Sequence, residues 1–205
     1  MISTRKEILE VSPITITLLL LLPTTVLLKD NAVVIKGTRG AQPDIKKFFN
    51  TSETTWTFST TERSQIECKM DVTLSMNDTF VEFQTAFSIK GFRANVTNFG
   101  HFEKLDVKEE NTTKFNAIIL SNPGRKPYGQ ERLLFQTRDN SCGVFSVVIN
   151  NPHYHWYEIR ARNSSLRRVH RTCALYFIKT IRGKGKKRQV YVKECQQICY
   201  PRRQV

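Results

Sequence analysis

The chain has 205 residues, enough for one domain whose core can be stable without a metal. Its net charge is +14, but the charge is uneven. Residues 1–37 carry four basic and three acidic side chains, residues 38–159 carry 14 of each, and residues 160–205 carry 14 basic and one acidic. A basic groove through the body is therefore excluded; the excess is a basic end on a neutral body.

In chain order, the first feature is the apolar run ITITLLLLLPTTVLL from Ile14 to Leu28, preceded by Arg5 and Lys6. It is short for a bilayer span and of the right length for the core of a secretory signal peptide. Residues 1–37 are expected to be signal peptide and lead-in, with cleavage between Leu28 and Gln42. A short helix follows at Asp44-Ile-Lys-Lys-Phe-Phe, with Asp44 able to cap it. From Thr54 the period changes to two. TTWTFSTT alternates around Trp56 and Phe58. In QIECKMDVTL, Ile66, Cys68, Met70, Val72 and Leu74 share one face, the strongest strand signal in the chain. TFVEFQTAFSI, RANVTNFGHF, KFNAIILS, ERLLFQT, CGVFSVVI and HWYEIRA read as further strands. They are divided by Gly91, the polar turn Lys108–Asn111, Asn122-Pro123-Gly124, Asp139-Asn140 and Asn151-Pro152.

One helix is then expected from Ser164 or Ser165. Leu166, Val169, Cys173, Tyr176 or Phe177, and Thr180 or Ile181 recur at three to four residues, and Arg167, Arg168, Arg171 and Lys179 take the other side. Gly183 and Gly185 end it, and QVYV reads as a last short strand. Short helix, about eight strands, long helix and last strand are the order of an antiparallel up-and-down barrel with helices outside. An immunoglobulin-type sandwich is the rival, but the Cys…Trp…Cys spacing it wants is missing.

Five cysteines, Cys68, Cys142, Cys173, Cys195 and Cys199, are scattered without a CxxC pair. In an exported chain they read as disulfides rather than a zinc site. One must be left over, and spacing alone allows 15 two-bridge arrangements. N-x-[ST] sequons at Asn50, Asn77, Asn95, Asn111 and Asn163 fit a secreted glycoprotein. No GxSxG, HExxH or phosphate-binding glycine loop is present. His153 and His155 would share a strand face and could join a metal site, but a surface turn after Pro152 is the plainer reading. No enzyme, cofactor or metal is expected.

Together, several pieces resemble the tick salivary histamine-binding lipocalins over Pro43 to Cys199. They are the D-I-K-K-F helix, Thr55-Trp56 ahead of Cys68, Ser141-Cys142-Gly143-Val144-Phe145, Tyr157-Glu158-Ile159, Thr172-Cys173, and Tyr191 four residues before Cys195-Gln196. The resemblance implies a mainly β fold, an eight-stranded antiparallel lipocalin barrel with a short N-terminal helix and a longer C-terminal helix packed outside. It implies a lipocalin domain over residues 38–199 followed by a basic tail at 200–205. It also implies disulfides Cys68–Cys195 and Cys142–Cys173, leaving Cys199 unpaired or in place of Cys195.

Such proteins enclose cationic amines such as histamine or serotonin with carboxylates and aromatics. A protonated amine leaving water needs a counter-charge and hydrogen bonds, and aromatic faces add cation–π attraction. Carried over by position, Trp56, Glu53 and Glu158 match pocket positions. Core packing competes for Trp56 and a surface loop for Glu53. Glu158 alternates with Tyr157 and Ile159, so it faces solvent if those two point inward. Where the resemblance implies an acid after the cysteine of the CGVF strand, this chain has Gly143.

The expected function is a secreted, extracellular, monomeric trap for a small host mediator, most simply a biogenic amine. One alternative is a fatty acid or eicosanoid held by the phenylalanines and a basic anchor. Another is a filled barrel that acts through its surface on host haemostasis or complement. The basic C-terminal region could bind heparan sulfate or an anionic surface; nucleic acid is not expected.

Overall fold

The computed structural model describes residues 42–106, 113–122, 124, 126–150 and 154–199. The expected leader, the Lys108–Asn111 turn with its Asn111 sequon, Pro123, Asn151-Pro152, His153 and the 200–205 tail lie outside those residues.

A five-residue helix α1 (Ile45–Phe49) opens the described fold, with the Asp44 carboxylate accepting from the Lys47 amide. Eight strands follow: β1 (Thr55–Thr60), β2 (Ile66–Met76), β3 (Phe80–Ile89), β4 (Phe92–Glu103), β5 (Ala117–Ser121), β6 (Pro127–Gln136), β7 (Cys142–Ile149) and β8 (His155–Arg162). Each pairs antiparallel with the next, and β1 pairs with both β8 and β2. The sheet thus closes into a barrel without free edges. Lys90 and Gly91 both have positive φ, +50° and +81°, as the two-residue hairpin between β3 and β4 requires. β6 starts earlier than the pattern suggested, because Pro127-Tyr-Gly carries no strand signal yet pairs with β5 and β7.

The expected single helix is divided. Asn163–Arg168 forms a 3₁₀ segment, Val169 is extended, and α2 (Arg171–Ile181) begins with the His170 ring accepting from the Thr172 amide. Ser164 and Ser165 therefore do not cap α2. The break turns the chain, so that Leu166 packs by Trp56 while Phe177 and Ile181 cover the barrel wall. After the two-residue strand β9 (Arg188–Gln189), which pairs with β1, comes α3 (Cys195–Cys199), a helix with no periodic signal.

Three apolar clusters result. Inside the barrel, Phe48 and Phe49 of α1 pack with Val81, Phe83, Ile118, Leu133 and Phe145. Outside it, Val144, Tyr157 and Ile159 pack against Cys173, Phe177 and Ile181 of α2. A third cluster joins Trp56, Cys68 and Met70 to Cys195 and Cys199. Two disulfides hold the outer layer on: Cys142–Cys173, 31 residues apart, and Cys68–Cys195, 127 apart. Loops of those lengths put their contribution at roughly 4 and 5 kcal/mol. These are the pairings that the resemblance implies, and Cys199 is unpaired and buried. No helix among the described residues is long and apolar enough to cross a membrane.

Candidate functional site

Because the outer wall is also covered, apolar residues face outward as well as inward, and a few charged residues lie inside beside the inner apolar cluster. Phe145 pairs with Glu158 and Val147 with Trp156. Phe145, Val147 and Trp156 belong to the inner cluster, while Tyr157 and Ile159 belong to the outer one. Glu158 thus points into the barrel, opposite to Tyr157 and Ile159. On β2 the ladder slips between Glu67 and Met70, and Cys68 has φ +51°. After this bulge Cys68 and Met70 face α3, and Lys69 and Asp71 face inward.

Five charged side chains meet there. Lys69 Nζ donates to Glu158 Oε1 at 2.7 Å. Arg160 Nε donates to Glu158 Oε2 at 2.7 Å, and its two terminal nitrogens grip both oxygens of Glu131 at 2.7 and 2.6 Å. Asp71 approaches Arg160 at 3.5 Å. Trp156 Nε1 donates to Glu158 at 2.8 Å, and the Arg160 guanidinium lies 4.4 Å from the Phe145 ring centre. Burial alone would push the Glu158 carboxyl up; Lys69 and then Arg160 overcome it and hold Glu158 far below the usual carboxylate range. Asp71 goes the other way, because burial outweighs the pull of Arg160 and Lys69. The Asp71 carboxylate accepts from Thr85 at 2.6 Å; Asn98 donates to Thr85 at 3.0 Å and Tyr128 to Asn98 at 2.7 Å. Burial, then Glu131 and Asp71, push the Tyr128 phenol up to about 12, so it stays a hydrogen-bond donor.

Above this network lies a cavity of about 360 Å³. Phe83, Phe87, Tyr128 and Trp156 give it aromatic walls; Ile66, Val96, Leu120, Val147 and Ile149 give it aliphatic ones. Lys69 and Glu131 reach it from the charge layer, and Glu62 from the stretch after β1. Glu62 is 8% exposed. Tyr154 donates to its carboxylate at 3.4 Å, and no ion pair joins it to a cation among the described residues. Counting Glu62 and Glu131 against Lys69, the lining carries one more acid than base.

The other end of the barrel is full. Gly143 pairs with Arg160, and a Cβ built on it would meet Leu133 at 2.8 Å, Phe48 at 2.9 Å and Phe145 at 3.0 Å. A larger side chain there would have to displace the Leu133, Phe48 or Phe145 side chain.

None of the three pocket positions carried over from the resemblance lines the cavity. Trp56 packs against Tyr191 outside the wall and donates to Asn163 at 3.1 Å. Glu53 accepts from the Ser164 amide at 3.0 Å and tethers the 3₁₀ segment; hydrogen bonds from Ser164 hold its carboxyl below the usual range. Glu158 lies beneath the floor. Asn50, Asn77, Asn95 and Asn163 are exposed, and Asn163 Oδ1 also accepts from Gln196. Lys69, Asp71, Glu131 and Arg160 were missed. Their signal was the polar half of alternating strands whose apolar half was the more visible. Glu62 left no periodic signal.

No model of a known protein family matches the chain, and neither does any curated protein sequence. Solved structures do. The serotonin complex of AM182 superposes with a TM-score of 0.54 at 17% identity, covering 74% of this chain and 92% of that one. The fold is that of a lipocalin. Weaker likenesses, which add nothing to that assignment, are the siderocalin Ex-FABP (TM-score 0.47, 11% identity, 65% of this chain and 81% of that one) and cholesterol-bound Japanin from Rhipicephalus appendiculatus (0.46, 12%, 70% and 95%). The cavity of this lipocalin-like barrel lies in the half away from α1, near the β3–β4 turn.

Proposed function

We propose that this lipocalin is a secreted, non-enzymatic, monomeric trap that sequesters a small host mediator, first of all a biogenic amine such as histamine or serotonin, as the tick salivary proteins it resembles do. The observation that carries the reading is Glu62, a buried carboxylate on an aromatic-walled cavity that makes no ion pair among the described residues, although the Arg188 guanidinium meets its main-chain carbonyl at 3.3 Å. A protonated amine there would gain a counter-charge from Glu62 and cation–π contact with Trp156, Phe83 or Phe87. Glu158 takes part from the layer below by neutralising Lys69 and Arg160; Trp56 and Glu53 shape the wall and its outer tether. The cavity volume suits a small ligand, at the lower end of the range for binding pockets. The AM182 complex holds serotonin in the same fold. Export is supported by the two disulfides, and Asn50, Asn77, Asn95, Asn111 and Asn163 are the glycan acceptors of this reading.

A second reading keeps the fold and takes a fatty acid or eicosanoid. It is favoured by Lys69, the cation that reaches the cavity, and by the aliphatic lining. The presence of a cavity speaks against a filled barrel acting only through its surface.

Calorimetric titration with histamine, serotonin and arachidonate separates the readings. The amine trap binds an amine tightly and loses tenfold or more in Glu62→Gln, about 1.4 kcal/mol or more. Glu158→Gln, which leaves Lys69 and Arg160 less compensated, weakens the amine and strengthens the fatty acid. Saturable arachidonate binding indifferent to Glu62→Gln, with no amine binding, would replace the amine by the lipid.

A further inference from the structure

Helix α2 buries one side against the barrel through Cys173, Phe177 and Ile181. At about 100° per residue, the opposite side carries Arg171, Leu175, Ile178, Lys179 and, at the C-cap, Arg182. All five are exposed, Leu175 and Ile178 at 45% and 47%. Two aliphatic side chains in the centre of a helix's outer face, with a cation at each end, are unlike an ordinary solvated face, where such positions are polar. The chain on either side extends the charge: Arg167 and Arg168 come before α2, and Lys186 and Lys187 after it, all exposed. From residue 160 to 199 the single acid is Glu194.

We propose that this face of α2 docks on an anionic lipid surface, with Leu175 and Ile178 entering the interface between headgroups and Arg171, Lys179 and Arg182 holding the headgroup phosphates and carboxylates. Charge complementarity chooses an anionic partner. The aliphatic pair chooses a bilayer over a soluble polyanion, since a sulfated polysaccharide offers no apolar phase to receive it. The surface lies on the outer wall of the barrel, so docking leaves the cavity, on the inner side of the same strands, untouched. It would concentrate the ligand trap at a cell surface.

The test is flotation of the secreted full-length protein with vesicles of phosphatidylcholine alone or with about 30 mol% phosphatidylserine, beside retention on heparin–agarose. The expected result is salt-sensitive binding to the phosphatidylserine vesicles only. It is reduced about tenfold by Leu175→Ser with Ile178→Ser and abolished by Arg171→Glu with Arg182→Glu. All four positions are exposed, so the variants should fold; unchanged ligand titration and circular dichroism verify this. The proposal is overturned by equal flotation with both vesicle types, or by phosphatidylserine binding that Leu175→Ser with Ile178→Ser leaves intact. Strong heparin retention without vesicle binding also overturns it, in favour of a sulfated polysaccharide.

Discussion

The two halves of the barrel interior are built from the same strands and have opposite contents. In the half next to α1, Phe48, Leu133 and Phe145 close around Gly143, and a single added carbon would push one of them aside. In the other half a cavity of about 360 Å³ remains, edged by Glu62, Glu131 and Lys69. On the β7–β8 ladder Glu158 and Arg160 sit level with Phe145 and Gly143 of the packed half, while Glu131 and Lys69 reach the cavity. The difference teaches that one set of strands can close on side-chain packing at one end and leave a lined cavity at the other. Where the resemblance implies a carboxylate, the glycine admits the Phe48 ring instead.

The division can be broken most severely at Arg160. Arg160→Leu leaves Glu131, Glu158 and Asp71 without their buried cation, and should cost about 3–5 kcal/mol, read as a lowered urea midpoint. Phe48→Ala empties the packed half. It should cost about 3 kcal/mol and create a second, apolar space, detected as xenon or benzene binding absent from the wild type. Gly143→Ala tests the same packing by addition and should cost about 1–2 kcal/mol by overpacking, with ligand affinity unchanged. Smallest in stability, within about 0.5 kcal/mol, is Glu62→Gln, whose effect falls on amine affinity.

The charge layer also fixes a pH dependence. Glu158 titrates lower in the folded than in the unfolded chain, so its contribution is complete above the ordinary carboxylate range and shrinks as the pH falls through that range. Asp71, raised by burial, opposes this: the folded state favours its proton, and its ionisation costs stability as the pH rises. The stability gap between wild type and Glu158→Gln should therefore be widest near neutrality and narrow towards pH 3, as followed by urea titrations across that range; a gap that widened in acid would contradict the assignment.

Much of the fold could be read from the sequence, because period-two alternation, Asp44 and Gly91 each impose a local geometry that the barrel keeps. The site was less legible, for a reason visible on β2 and β8. Alternation separates two faces without saying which is inside. When α2 and α3 cover the wall, Cys68, Met70, Tyr157 and Ile159 are buried on the outer side, and the polar faces between them become the interior. The bulge at Cys68 shifts the phase again, so that Ile66 and Lys69 both reach the cavity. Glu53 and Trp56 are buried or tethered for the sake of the 3₁₀ segment and the Cys68–Cys195 cluster, contacts that span over a hundred residues and leave no local pattern.

The two tryptophans offer the most direct test, since Trp156 lines the cavity and Trp56 lies outside the wall. Fluorescence titration of Trp56→Phe and Trp156→Phe with histamine reads each one separately. A single chamber in the half away from α1 predicts a saturable change from Trp156 at one equivalent of ligand, with Trp56 silent. A response from Trp56, or a second equivalent, would contradict it.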